Sequence, residues 1–304
     1  MTPPAPLPQA PLPQAPLPPA AARWFRRQHR VESPRLRLVC FPHAGGSPAA
    51  YRTWHRHLPE DVEVLAVCYP GRQDRIGDPF PAGAAELAEE VAAALAPLRD
   101  VPVALFGHSM GALLAYEVAV RLAADPGAPP PVRLFVSGSP APQLVDHSAL
   151  RSATDEDLLA LVDALGSDST DALRIPALRE LLMPGIRADF RLLAHYRATT
   201  TTATGIPVVA CTGDDDPVCP VEAARAWSTT TVSAFELNVL PGGHFYLEPL
   251  EAELLGRITG HLRSDLRFRT TPRHGAPQPA NHSAPRPAPR PVPQPAAQSS
   301  AQTH

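Results

Sequence analysis

Val103-Ala104-Leu105-Phe106-Gly107-His108-Ser109-Met110-Gly111-Ala112-Leu113-Leu114-Ala115-Tyr116 is the stretch that decides the fold. Its first four residues read as a buried strand, and Ala112 onward reads as a helix continuing to about Ala124. The G-x-S-x-G between them is thus a strand–turn–helix junction. A serine on such a turn sits in a strained backbone at the carboxyl edge of a sheet. The next backbone N–H lies beside it at a helix start, an arrangement suited to nucleophilic attack on an acyl carbon.

Working outward, strand-like and helix-like runs alternate. Strands are expected at Leu36–Phe41, Val62–Cys68, Val101–Phe106, Val132–Val136, Ile206–Cys211 and Phe235–Leu240. Helices are expected at Pro48–His57, Ala84–Leu95, after the elbow, and at about Glu248–Leu262. This alternation predicts an α/β fold with a mostly parallel central sheet flanked by helices. Between about 140 and 200 the pattern is helical with no strand. Thr154 reads as an N-cap before Asp155, Glu156 and Asp157. A second run, Ile175 to Arg197, is interrupted by Pro184-Gly185. Such an insertion is expected to serve as a lid or as additional packed scaffold.

The chain has 304 residues, net charge −3, 40 prolines and four cysteines. Residues 1–22 carry a Pro-Leu-Pro-Gln-Ala repeat and no charged side chain, and 269–304 are rich in Pro, Ala, Gln and Arg. Both are expected to be disordered tails, solvated extensions or ligands for a groove-bearing domain, leaving one domain over 23–268. Proline interrupts every apolar run of the first tail and no basic segment precedes it, so it does not read as a secretory signal. The charge gives no nucleic-acid or membrane footprint. Cys40, Cys68, Cys211 and Cys219 form no C-x-x-C pair. They are expected to be reduced thiols, three of them in the core, in a cytoplasmic protein without a metal site.

A serine nucleophile needs a base and an orienting acid, which follow it in the order acid, then histidine, in elbow-type enzymes. Two loops at strand ends fit: Thr212-Gly213-Asp214-Asp215-Asp216-Pro217 and Pro241-Gly242-Gly243-His244-Phe245-Tyr246. His244 is the expected base. His195 lies in a helical run, His147 in the insertion, and His43 and His108 come too early in the chain. Asp216 is the preferred acid, with Asp214 and Asp215 as alternatives. The oxyanion hole calls for the Met110 N–H and one from Phe41-Pro42-His43-Ala44-Gly45-Gly46-Ser47, with Ala44 preferred over Gly45.

The segments Phe41-Pro42-His43-Ala44-Gly45-Gly46, Tyr69-Pro70-Gly71-Arg72, Gly107-His108-Ser109-Met110-Gly111 and Gly242-Gly243-His244-Phe245-Tyr246-Leu247 resemble the type II thioesterases of polyketide synthase and nonribosomal peptide synthetase pathways. Arg23-Trp24-Phe25-Arg26, Ser137-Gly138-Ser139-Pro140 and Arg187-Ala188-Asp189-Phe190 add to the resemblance. It implies the α/β-hydrolase fold and editing hydrolysis of acyl thioesters on carrier proteins. It also implies Ser109, Asp216 and His244 as the triad, and Ala44 and Met110 as the oxyanion hole. No cofactor is implied, because phosphopantetheine belongs to the substrate. The implied partner is an acyl or peptidyl carrier protein, and the implied state is a monomer. The family often has a glutamate soon after Pro-Gly-Arg, where this chain has Gln73-Asp74-Arg75. Arg72 and Arg75 are therefore expected to be solvated or in structural ion pairs. Arg187, Arg191 and Arg197 are candidates for a carrier-docking patch, or simply solvated helix faces. An acyltransferase or carboxylesterase on the same scaffold, or a non-catalytic carrier-binding module, are the competing readings.

Overall fold

A computed structural model describes residues 16–166 and 173–270. Its strands are β1 (Phe25–Arg27), β2 (Leu36–Phe41), β3 (Val62–Val67), β4 (Val103–His108), β5 (Arg133–Ser137), β6 (Val208–Gly213) and β7 (Phe235–Leu240). They form one sheet in the order β1-β3-β2-β4-β5-β6-β7, with β1 alone antiparallel to its neighbour. The helices are α1 (Pro19–Trp24), α2 (Ala84–Leu95), α3 (Met110–Ala124), α4 (Asp155–Leu165), α5 (Pro176–Ala194), α6 (Val221–Arg225) and α7 (Glu251–Thr270).

Every residue of β2, β3, β4 and β6 is buried, as befits parallel strands covered on both faces. Their side chains divide by the two-residue period of a strand. Val39, Phe41, Leu65 and Leu105 pack with Leu87 and Val91 of α2 and Leu113 and Val118 of α3. Leu38, Cys40, Val64 and Phe106 pack on the other side with Tyr51, Trp54 and Leu254, Ile258 and Leu262 of α7.

Several elements depart from the sequence expectation. Helix α1 begins at Pro19, inside the stretch expected to be tail. Proline suits the first position of a helix, three alanines follow, and Ala21 and Trp24 are buried. Strand β1 was not expected, since three residues containing two arginines carry no strand pattern; Phe25 pairs opposite Val67. Pro48–His57 forms two short 3-10 turns, Pro48–Tyr51 and Trp54–Arg56, in place of one helix. Helix α5 runs through Pro184 without a break. Pro184 removes one internal donor, the partner of the Glu180 carbonyl, and both residues are exposed. Thr154 does cap α4, in a reciprocal box with Asp157. All four cysteines are free and buried, Cys219 included, one more than expected in the core.

Residues 1–15 and 271–304 of the expected tails, and 167–172 of the expected lid, lie outside the described residues. Among the described residues no helix is long and apolar enough to cross a membrane.

Candidate active site

Strand β4 ends at His108 and α3 begins at Met110, which leaves Ser109 alone to make the turn at φ 55°, ψ −121°. Ser109 and Gln73 are the non-glycine residues with positive φ among the described residues. The flanking glycines make the turn sterically possible. A Cβ on Gly107 would stand 2.0 Å from the Gly111 carbonyl oxygen, and one on Gly111 would stand 2.0 Å from that of Phe41. Strand and helix therefore cross at backbone contact, and the Ser109 N–H is held by the Ser137 carbonyl at 2.8 Å. The Ser109 hydroxyl has no hydrogen-bond partner among the described residues and lines a cavity of about 1080 Å³.

His244 lines the same cavity from the loop after β7 and is buried. Its Nδ1 lies 3.0 Å from each oxygen of Asp216, in the loop after β6. A carboxylate only accepts, so this contact fixes the proton on Nδ1 and leaves Nε2 free to accept another. Asp216 Oδ1 also accepts the backbone N–H groups of Val218 at 2.8 Å and Cys219 at 3.2 Å. Burial pushes the Asp216 carboxyl up. The hydrogen bond and charge of His244, with the two backbone donors, outweigh that and hold it below the ordinary aspartate value. The other two aspartates are exposed. Asp214 accepts the Gly242 N–H at 2.8 Å and so ties the two loops together.

On the opposite rim, the Gly45 N–H is donated to Asp189 of α5 at 2.7 Å, which removes it as a free donor. The Ala44 N–H has no partner among the described residues, nor does that of Met110 in the first turn of α3. Both residues line the cavity. Of the residues singled out in the sequence, Ser109, His244, Ala44 and Met110 thus share one chamber, with Asp216 behind His244. The insertion closes over it with apolar side chains, among them Leu150, Leu161, Val162, Leu182, Ile186 and Phe190.

Sequence reasoning passed over several neighbours. The His108 ring lies 4.8 Å from that of His244, centroid to centroid. Its Nδ1 bonds the Ser137 hydroxyl at 2.9 Å, and that hydroxyl meets the Tyr246 hydroxyl at 2.7 Å. His108 Nε2 is buried without a partner among the described residues. Burial, then the nearby His244 and His43, hold His108 well below the ordinary histidine range. His43 is pushed down to about 3, by desolvation first and then by His244 and Arg72. Chain order excludes both as the base, but His108 stands next to the elbow serine and His43 next to Ala44 in the expected oxyanion loop, a usable signal that both flank the site.

Arg72 and Arg75 are both buried and held in ion pairs, not solvated loop; the partner of Arg72 is buried too, that of Arg75 half-buried. Arg72 meets Asp189, and Arg75 donates to Asp78 at 2.7 Å while lying over the Trp24 ring. Of the candidate docking arginines, Arg187 is engaged by Asp155, which links α5 to α4. Arg197 donates to the Tyr196 carbonyl at 2.6 Å.

Comparison with known proteins agrees with this architecture. Residues 36–265 match the family model described as a thioesterase domain. The thioesterase PikA5 of Streptomyces venezuelae is 37% identical over 240 residues, which is 79% of this chain and 85% of that protein. The protein named "Probable cadicidin biosynthesis thioesterase" of Streptomyces griseus is 36% identical over 227 residues, 75% of this chain; the match spans only 62% of that protein's length. Among solved structures, the type II thioesterase BorB from the borrelidin biosynthetic cluster superposes with a TM-score of 0.71 at 37% identity, covering 79% of this chain and 98% of BorB.

Proposed function

The chain belongs to the thioesterase family, and from that premise we propose that it is a type II enzyme that hydrolyses acyl thioesters held on the phosphopantetheine arm of acyl or peptidyl carrier proteins, clearing aberrant acyl groups from a polyketide or nonribosomal peptide assembly line. The observation that carries this reading is the buried Asp216–His244 pair opening onto the same apolar chamber as the strained Ser109.

In the proposed reaction the Ser109 hydroxyl attacks the thioester carbonyl and His244 Nε2 takes its proton. Asp216 stays ionised, keeps the ring in the required tautomer and stabilises the imidazolium. The tetrahedral oxyanion is held by the Ala44 and Met110 N–H groups. When it collapses, the pantetheine thiolate leaves and takes the proton from His244. Water then enters, His244 removes a proton from it, and the acyl-serine is cleaved to free acid and Ser109. Every proton is returned within the cycle, and the chemistry calls on side chains, two backbone donors and water.

The apolar lining of the chamber supports an acyl substituent as the buried part of the substrate. Four buried free thiols support a reducing compartment, and so work in the cytoplasm; the monomeric state rests on the family resemblance alone. We take the folded unit as about 23–268, with the lid at about 140–200; α1 starts just before it, at Pro19.

The test is incubation with acyl-carrier-protein thioesters and with matched oxygen esters. Free acid released from the thioesters and lost in Ser109→Ala is the expected result. Turnover confined to oxygen esters, or acyl transfer to an alcohol or amine without free acid, would overturn the assignment.

A further inference from the structure

Helix α5 touches the rim of the site at three successive points. Gly185 packs against the Gly71 turn, where a Cβ on Gly185 would lie 3.3 Å from the Gly71 oxygen. Ile186 lies under Gly45, whose added Cβ would stand 3.4 Å from its Cγ1. One turn along the helix from Gly185, Asp189 reaches the same loop with a buried carboxylate. Its Oδ2 accepts the Gly45 N–H at 2.7 Å and is also met by Arg72 Nη2. The rest of the Arg72 guanidinium is spent on the same two loops. Nε donates to the Gly46 carbonyl at 2.9 Å and Nη1 to the Pro70 carbonyl at 2.9 Å. The guanidinium also lies over the Tyr69 ring, whose hydroxyl donates to the Pro42 carbonyl at 3.2 Å. One buried ion pair therefore grips the Gly45 N–H and the Gly46 C=O, the groups that follow Ala44 in the chain.

We infer that Arg72 and Asp189 are positioning residues for the oxyanion hole: they hold the Gly45–Gly46 turn from helix α5, and so keep the Ala44 N–H aimed at the carbonyl oxygen that becomes negative. Two physical points favour this over a pair that only stabilises the fold. Its bonds go to backbone atoms of the oxyanion loop itself, so a shift of the pair is a shift of that loop. A lone carboxylate next to an oxyanion site would oppose the developing charge, and the guanidinium on the same oxygen cancels it. Burial at both ends keeps the pair from exchanging with water, which suits a fixed geometry. Because Asp189 lies on the insertion, seating α5 and completing the oxyanion hole are one event.

The inference rests on the thioesterase reading above, and the experiment separates the two. Asp189→Asn keeps the shape of the side chain and weakens its hold on Arg72. The double variant Arg72→Met/Asp189→Leu removes both charges and leaves no unpaired buried ion. For each, kcat and KM are measured on an acyl-carrier thioester per mole of folded protein. Affinity is measured for an alkylboronic acid, which forms a tetrahedral adduct on serine with an oxygen in the oxyanion position. A positioning role lowers kcat by roughly 10- to 100-fold with KM within about threefold, and lowers boronate affinity in parallel. The pH profile of kcat keeps its midpoint, because His244 and Asp216 are untouched. Folded variants that retain both kcat and boronate affinity, or a loss confined to KM, overturn the inference. If Asp189→Asn does not fold, the double variant decides by the same readings. Wild-type protein that binds the boronate but turns over no carrier thioester overturns the thioesterase reading, while the boronate arm still judges the pair.

Discussion

Both oxygens of the Asp216 carboxylate lie 3.0 Å from Nδ1 of His244, and both residues are buried. The two come from loops after different strands, 28 residues apart in the chain. Asp214 spends its side chain on the Gly242 backbone instead. Asp216→Asn is therefore expected to lower kcat on an acyl thioester by about 10³- to 10⁴-fold, because an amide can stabilise the wrong imidazole tautomer. Asp214→Asn is expected to leave kcat within about threefold, since its role is to shape a turn. Steady-state rates of the two folded variants check the contrast.

Ser109 occupies φ 55°, ψ −121°, a conformation that side chains resist and glycine accepts. Ser109→Gly should abolish turnover while raising unfolding stability by about 1–2 kcal/mol, the scale of strain stored at one such residue. The urea midpoint of the variant against wild type measures it; an unchanged or lower midpoint would show that the elbow stores no such strain.

His108 provides a pH prediction. Folded, it is held well below the ordinary histidine value by burial and by two neighbouring histidines. Unfolded, it regains a value near 6.5. As pH falls through that value the unfolded chain takes up a proton that the folded chain refuses, so stability must fall. The slope for this one group reaches about 1.4 kcal/mol per pH unit. Asp216 is shifted in the same direction but acts in a lower window: its depressed carboxyl adds stability above the unfolded value of roughly 4 and loses it only in stronger acid. A decline between pH 6.5 and 5 thus belongs to histidines. Denaturation midpoints at pH 7.5, 6 and 5 should fall in wild type and fall less in His108→Asn.

The chamber is walled by the insertion, and Val162 of α4 is one of its lining residues. Val162→Trp fills part of the space that a long acyl chain would occupy. Hydrolysis of a decanoyl thioester should drop about 10-fold or more while that of an acetyl thioester changes less than about threefold. Equal losses on both would place the acyl chain elsewhere.

Much of this was legible in the sequence because it depends on local pattern. Leu36–Phe41, Ala84–Leu95 and Phe235–Leu240 carry periodicities long enough to name their own state, and the observed limits match the expected ones. Ser109 was legible because two glycines in a strand–helix junction have few other uses. What failed locally was short or compositionally disguised. Strand β1 has three residues and exists only because Val67 lies beside it. Helix α1 hides behind proline. Pro184 does not break α5 because the helix is held from outside, by Gly185, Ile186 and Asp189 against the loops of the site.

The sequence by itself determined the alternation of the longer strands and helices, the elbow serine and the histidine loop, since each is written in contiguous residues by spacing and backbone freedom. Only the tertiary structure decided which of three adjacent aspartates faces His244, which loop N–H stays free for an oxyanion, and that Arg72 is buried against Asp189, 117 residues away. Those choices are made by which groups a folded interior brings within hydrogen-bond distance. Adjacent residues of identical chemistry carry no record of it until strands β6 and β7 are paired and α5 is seated.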